Sequence, residues 1–105
     1  MAKKTVNFNQ SGIENLPNDK PVVYKILTDN NSNNYTGVAK KGRVQDRLKE
    51  HLPSGKDYIP GSKVQIEQMK SISDARKKEY SIISRNKPNH NKWNDVDKII
   101  RIKKL

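Results

Sequence analysis

The sequence lacks several residue types that common functional sites require. It has no cysteine, which excludes disulfide bonds, thiolate metal sites and a cysteine nucleophile. It has only two histidines, which argues against a zinc site built from several histidines. The longest apolar run, residues 22–24, is too short for a transmembrane helix or a signal peptide, so the sequence predicts a cytoplasmic, intracellular protein.

Negative charge is also scarce. The 105 residues include 11 Asp and Glu against 22 Lys and Arg, which gives a net charge of +11 and a pI near 10.0. A chain of this length predicts one domain, residues 1–105. So large a charge on so small a domain favours a polyanionic partner, chiefly nucleic acid, but it does not distinguish a binding protein from an enzyme.

The first half of the chain predicts a β-hairpin between a loose lead-in and a helix. Residues 1–20 carry solvated lysines and turn residues. Residues 22–28 are rich in β-branched and aromatic side chains and predict a strand, and residues 35–39 predict the returning strand after an asparagine-rich loop. Residues 43 to about 52 carry apolar side chains at helical spacing, and Pro53 should end that helix.

The second half predicts a strand, a helix and a tail of undecided structure. Residues 64–69 alternate well enough for a third strand, and a second helix should start after a Ser73 cap. The tail, residues 93–105, could form a short helix or an edge strand. The predicted class is α+β: a three-stranded antiparallel sheet, made of the hairpin and the third strand, flanked by helices in the order β-β-α-β-α.

One acidic residue of the second predicted helix requires an explanation. Glu79 shares a helical stripe with Ala75 and Ile83, which should face the core. A carboxylate there costs on the order of several kcal/mol of desolvation unless it is paired or binds a metal. The alternatives are an error in the predicted register, a salt bridge to a nearby arginine, or a metal ligand in a cleft of basic residues.

Two further pairs of residues could carry chemistry. Arg47 and His51 lie one helical turn apart, so they form either a phosphate-binding pair or part of a solvated face. Tyr24 and Tyr35 lie on adjacent predicted strands, either as core aromatics or as groups that position or deprotonate a water. Each pair is a weak signal alone, so their combination and order carry the argument.

The two predicted hairpin strands carry tripeptides that are similar to known motifs. Residues 22–24, Val-Val-Tyr, stand where one nuclease family has Gly-Ile-Tyr, and residues 35–37, Tyr-Thr-Gly, stand where it has Tyr-Ile-Gly. Val22 replaces the glycine of the first motif, and Thr36 replaces the isoleucine of the second. Neither replacement removes a functional group.

The helices extend this similarity. Arg47 and His51 match the Arg-x-x-x-His of the family's first helix, and Glu79, four residues after an alanine, matches its metal-binding glutamate. The run from Glu79 to Asn91 matches the Glu-x-x-Leu-Ile…Pro-x-x-Asn ending and is the most specific part. Over about residues 13–92 the chain therefore resembles a small GIY-YIG nuclease domain, with terminal extensions over residues 1–12 and 93–105.

The resemblance implies a divalent-metal-dependent endonuclease that hydrolyses phosphodiester bonds, of DNA in preference to RNA. Glu79 would bind one divalent cation, Mg²⁺ or else Mn²⁺. Arg47 would offset charge on the phosphate, and Tyr24 or Tyr35 would align and deprotonate the water with help from His51.

The remaining candidate residues have supporting roles in this interpretation. Gly37 would allow a phosphate or a helix close to its strand, and Asn91 would support the Glu79 helix. The segment between Gly37 and Arg47 is about two residues longer than is common in the family, which makes Arg43 a second candidate for the catalytic arginine; the pairing with His51 favours Arg47. The candidates for contact with the nucleic-acid backbone are Lys25, Lys40, Lys41 and Arg43.

Two other functions compete with the nuclease. The first is a non-catalytic nucleic-acid-binding protein with the same fold; against it, Glu79 would repel phosphate unless a metal were bound. The second is a small basic protein associated with the ribosome or a membrane; the sequence lacks the long basic amphipathic helix that membrane association favours. No helix-turn-helix or zinc finger is visible, so loops, a homodimer or a partner protein would have to supply specificity.

Overall fold

The fold is taken from a computed structural model, which describes residues 3–86. Asn91 and the tail over residues 93–105 lie outside the described residues. The elements in chain order are β1 (Lys3–Asn7), α1 (Gln10–Glu14), β2 (Val22–Leu27), β3 (Asn33–Ala39), α2 (Val44–Glu50), β4 (Lys63–Gln68) and α3 (Ile72–Asn86).

The sheet is antiparallel and has the strand order β1-β4-β2-β3. The predicted α+β class with an antiparallel sheet and helices is therefore confirmed. The predicted three strands and the order β-β-α-β-α are wrong, because β1 and α1 precede the hairpin. β1 was missed because four of its five side chains are exposed, so it shows no apolar alternation. Its backbone pairing with β4, from Lys3 opposite Glu67 to Asn7 opposite Lys63, makes it a strand.

The short helix α1 also lies in the segment predicted as a loose lead-in. Asn9 caps it, since its side-chain Oδ1 accepts the backbone N–H of Gly12 at 2.8 Å. Ile13 and Leu16, three residues apart, are both buried in the main core. The lead-in therefore supplies core residues, and the asparagine cap with that apolar pair was the available signal.

The sheet separates two apolar layers. Tyr24 on β2 belongs to the main core, together with Val44 and Leu48 of α2. Val23, the preceding residue, packs on the other face against Ala75 and Ile82 of α3. Because successive side chains of a strand point to opposite faces, this alternation decides which residues can share a site.

The two predicted helices, α2 and α3, begin or end at slightly different residues from those predicted. α2 ends at Glu50, before Pro53, and His51 is its C-cap residue. α3 begins at Ile72, and the capping serine is Ser71, not Ser73, because the Ser71 Oγ accepts the backbone N–H of Asp74 at 3.1 Å. Within residues 3–86, no helix combines the length and the apolar character that a membrane span requires.

Candidate active site

Three aromatic rings meet on the face of the sheet that α2 covers. Tyr24 lies opposite Gly37 in the β2–β3 register, and Tyr35 lies opposite Ile26, so the two tyrosines are diagonal neighbours on one face. Their ring centroids lie 6.2 Å apart, and the His51 ring lies 5.6 Å from Tyr24 and 5.0 Å from Tyr35. The structure thus brings together three of the residues that the sequence predicted for one site.

Gly37 makes room for one of these rings. A Cβ atom at Gly37 would lie 2.5 Å from the Tyr24 Oη, 2.6 Å from its Cζ and 3.0 Å from the Tyr35 Cε2. Close approach to the strand at Gly37 was expected, with a phosphate or a helix as the approaching group. In the structure the group is the Tyr24 ring, which is fully buried and cannot move aside without repacking the core.

Gly37→Ala should therefore destabilise the protein by about 1–3 kcal/mol, because the added methyl overpacks a closed aromatic cluster. Urea unfolding followed by circular dichroism would measure the change. An unfolding free energy equal to that of the wild type would contradict the placement of the Tyr24 ring over Gly37.

The hydrogen bonds of His51 define its tautomer. Its Nδ1 lies 2.7 Å from the backbone carbonyl oxygen of Asp57, and its Nε2 lies 2.7 Å from the Tyr24 Oη. A carbonyl oxygen only accepts, so Nδ1 carries a hydrogen and donates it. Burial lowers the pKa of His51 below its usual 6.5, although the bond to Asp57 opposes this shift. The ring is therefore neutral near pH 7, and its Nε2 accepts the hydroxyl hydrogen of Tyr24.

Tyr24 is likewise held in its neutral form. Burial raises the pKa of its hydroxyl well above the usual 10.0, and the charge of Tyr35 raises it further, while Arg47 lowers it. A free tyrosinate is therefore disfavoured at this position. Through its hydrogen bond to His51, the Tyr24 hydroxyl can instead transfer its proton to the His51 Nε2.

The lowered pKa of His51 has a consequence for stability. In the unfolded chain the imidazole takes a proton as the pH falls through about 6.5, whereas in the folded chain it resists protonation. The unfolded state then binds more protons, so the free energy of unfolding should fall as the pH drops below about 6.5 towards the lower folded-state pKa.

Urea unfolding at about pH 7.5 and about pH 5.5 would test this pH dependence. The stability lost between the two values should be smaller in His51→Gln than in the wild type. His90→Gln is the matched control, because it removes the only other histidine in the sequence; a change seen in His51→Gln and not in His90→Gln assigns the effect to His51. An equal loss in His51→Gln and the wild type would contradict the assignment.

Arg47 lies beside the aromatic rings in a fixed position. Its guanidinium donates to Glu50 Oε1 at 2.6 Å and to Asp57 Oδ2 at 3.2 Å. Burial works against its charge, but its interactions with the Tyr24 hydroxyl and with Glu50 outweigh burial, and the net effect raises its pKa. Arg43, the second candidate for this position, is more exposed and reaches only Glu50, at 3.9 Å. The geometry therefore places Arg47 beside Tyr24.

Glu79 acts on the same site from α3. Ala75 and Ile83, which share its stripe, are buried as predicted, whereas Glu79 is partly exposed. Its negative charge raises the pKa of Tyr24, so its field reaches the Tyr24 hydroxyl. The carboxylate therefore lies within electrostatic range of the Tyr24 hydroxyl and is not enclosed in the core.

The donor set limits which metal these residues could hold. Within residues 3–86, no three His, Cys, Asp or Glu side chains come together as a metal-binding group. Magnesium commonly takes one or two carboxylates and completes its shell with waters and substrate phosphates, and it does not need an all-protein cage. A single carboxylate, Glu79, fits that pattern, whereas a structural zinc site needs four protein ligands.

The predicted backbone-contact lysines do not share one surface. Lys40 and Lys41 are exposed in the turn before α2, and Arg43, the N-cap residue of α2, is exposed as well. Lys25 lies next to Tyr24 along β2 and therefore on the opposite face of the sheet. It cannot contact the same phosphate as the residues around Arg47.

Two acidic residues of the site were not predicted. Glu50 fixes Arg47 from three residues away on the same helix, a spacing that could have indicated it. Asp57 lies in the loop after α2, where its carbonyl orients His51 and its carboxylate holds Arg47. No local pattern marks Asp57, because its role depends on how that loop returns over the helix.

A scan against protein-family models, a search of curated proteins and a search of solved structures returned no match for this chain.

Proposed function

We propose that this protein is a divalent-metal-dependent phosphodiesterase that acts on nucleic acid. Within that class, its residues best suit an endonuclease of the GIY-YIG kind. The observation that carries the proposal is the hydrogen-bonded chain from the Tyr24 hydroxyl through His51 to the Asp57 carbonyl, with Arg47 alongside. Such a series of hydrogen bonds can transfer a proton beside Arg47, a group that can bind phosphate.

Tyr24 and His51 would share the work of deprotonating the attacking water. The Tyr24 hydroxyl donates to His51 and accepts a hydrogen bond from Arg47, so one oxygen lone pair would remain to accept a hydrogen from the water. As the water oxygen bonds to phosphorus and the bond from phosphorus to the 3′ oxygen breaks, the proton of the water would pass to Tyr24 and the proton of Tyr24 would pass to His51. The departing 3′ oxygen would take its proton from solvent. Tyr24 then never exists as the tyrosinate that burial disfavours.

His51 would carry the resulting positive charge only transiently, because burial and the charge of Arg47 lower its pKa while Asp57 opposes them. Its Nδ1 already donates to the carbonyl oxygen of Asp57, and the carboxylate of that residue lies 3.6 Å away. Both groups stabilise an imidazolium more than a neutral ring. The proton would return to solvent after the strand break, which restores the starting state.

Arg47 would stabilise the phosphate as negative charge builds on its non-bridging oxygens. A guanidinium is charged at every working pH and can bond two oxygens at once. Because Glu50 and Asp57 already hold it, little reorganisation is needed during the reaction.

Glu79 would hold the divalent cation, Mg²⁺ or Mn²⁺. When bound, that ion supplies Lewis-acid stabilisation of the phosphate and of the departing 3′ oxygen. Nucleic-acid binding would rely on the cations near α2, Lys40, Lys41 and Arg43, with DNA preferred to RNA. A homodimer or a partner protein would supply any sequence specificity.

Tyr24→Phe should slow cleavage by about a hundredfold or more, because it removes the hydroxyl that relays the proton to His51. Tyr35→Phe should slow it less, because the one lone pair of His51 Nε2 already accepts from Tyr24, while the Tyr35 ring packs on the His51 ring. Initial rates on plasmid DNA with Mg²⁺ would measure both effects.

Tyr58→Phe is the matched control, since Tyr58 is 52% exposed and lies outside the aromatic cluster. Its rate should equal that of the wild type. A larger loss in Tyr35→Phe than in Tyr24→Phe would instead assign the relay to Tyr35.

A further inference from the structure

A second cluster of cations lies on the opposite face of the sheet. A cavity of about 100 Å³ separates the last turns of α3 from strands β1, β4 and β2. Lys78 and Arg85 line it from the helix, and Lys3 and Lys25 line it from the sheet. The proposed cleavage mechanism uses none of these four residues.

Positive charge predominates among the side chains that line this cavity. Among the described residues that line it, Glu67 is the only carboxylate, and it faces four cations. It contacts one of them, Lys78, at 3.9 Å. Burial lowers the pKa of Lys25, and the positive charges of Lys3, Lys78 and Arg85 add to that shift. A concave group of like charges at this density favours an anion.

The register shows that the cavity is separate from the candidate active site. Lys25 lies opposite Gln65, and Val23 lies opposite Glu67, in the pairing of β2 with β4. These residues alternate with Tyr24 and Ile66, which belong to the core under α2. The sheet itself therefore stands between the cavity and the cluster of Tyr24, Tyr35 and His51.

We propose that the cavity lined by Lys3, Lys25, Lys78 and Arg85 binds a backbone phosphate of a second nucleic-acid segment. The volume suits one phosphate group, and three flexible ammonium groups with one guanidinium suit its oxygens. Because the net charge of the chain is +11, we expect nucleic acid, and not an acidic peptide, to be the polyanion that binds here. The protein would then hold nucleic acid on both faces of its sheet.

This inference requires nucleic-acid binding but not cleavage, so the test is run in EDTA with every protein, including the one called wild type here, carrying Glu79→Gln. That change prevents cleavage and removes the carboxylate that would repel phosphate when no metal is bound. Fluorescence titration with duplexes of about one helical turn, roughly 10 base pairs, counts the duplexes bound per chain. The wild type should bind two duplexes. The variant Lys25→Gln, Lys78→Gln, Arg85→Gln should bind one, which is a loss of half the bound duplex.

A matched control corrects for net charge. The variant Lys20→Gln, Lys70→Gln, Arg76→Gln removes the same residue types at exposed positions outside the cavity, and it should still bind two duplexes. Three results would each overturn the proposal: the cavity variant binds two duplexes, the wild type binds only one, or both variants bind only one.

Glu67→Gln tests the cavity in the opposite direction. It removes the carboxylate that repels phosphate and occupies Lys78, so the second duplex should bind about two- to fivefold more tightly. Unchanged or weaker binding of the second duplex by Glu67→Gln would contradict the proposal. Binding of a poly-glutamate peptide in the cavity, where a duplex does not bind, would contradict it as well. Binding of two duplexes in this test, with no cleavage in Mg²⁺ by the chain that keeps Glu79, would refute the nuclease function and keep this inference.

Discussion

Glu79→Gln should abolish metal-dependent cleavage while leaving the fold intact. The substitution keeps the shape of the side chain but removes the only acidic metal ligand assigned to the site. Loss of metal stabilisation worth several kcal/mol lowers a rate by about a thousandfold or more. Initial rates on plasmid and single-stranded DNA, with Mg²⁺ titrated over a wide range, would measure the loss.

Glu14→Gln is the control for this change. Glu14 lies on α1, where its carboxylate contacts Lys49 at 3.2 Å on the surface. That variant removes the same charge away from the aromatic cluster and should cleave at the wild-type rate. A second measurement does not depend on activity: the pKa of Tyr24 should fall in Glu79→Gln, because the carboxylate raises it. Undiminished cleavage in Glu79→Gln would indicate a contaminating nuclease.

Arg47→Ala should reduce cleavage by about a hundredfold to a thousandfold, because it removes the donor for the charged phosphate oxygens. It also leaves the carboxylates of Glu50 and Asp57 without their shared partner, so some stability should be lost. Cleavage rates and urea unfolding, measured on the same preparation, separate the two effects.

Arg47→Lys and Arg43→Ala complete that experiment. Lysine keeps the charge but not the planar fork, so Arg47→Lys should recover part of the stability and only a little of the rate. Arg43→Ala removes an exposed arginine that also contacts Glu50, and it should leave the rate within about threefold of the wild type. A greater loss of cleavage in Arg43→Ala than in Arg47→Ala would reverse the assignment of the catalytic arginine.

The elements that the sequence predicted well are those with a buried face. β2 and β3 carry β-branched and aromatic side chains, and α2 repeats apolar residues at helical spacing, so local patterns indicate them. The strand register then brings Tyr24 and Tyr35 to one face. β1 could not be predicted in this way, because an exposed edge strand is held by backbone pairing and has no apolar pattern.

The candidate site was only partly predictable for a related reason. Arg47 and His51 share one helical turn, so their proximity follows from spacing. The tautomer of His51 depends on the carbonyl of Asp57, which reaches the ring through the path of a loop. Alternation along the predicted strand already placed Lys25 on the face opposite Tyr24, but the residues that surround it there, from β1, β4 and α3, could not be predicted without the sheet topology.

The most direct test of the proposed function is one cleavage assay on plasmid DNA. It compares the wild type with Mg²⁺, the wild type with EDTA, and Glu79→Gln with Mg²⁺, each in the same buffer. Cleavage in the first sample alone is the predicted result. If none of the three samples shows cleavage although the protein binds the DNA, the proposed nuclease function is contradicted. That result would favour a non-catalytic nucleic-acid-binding protein.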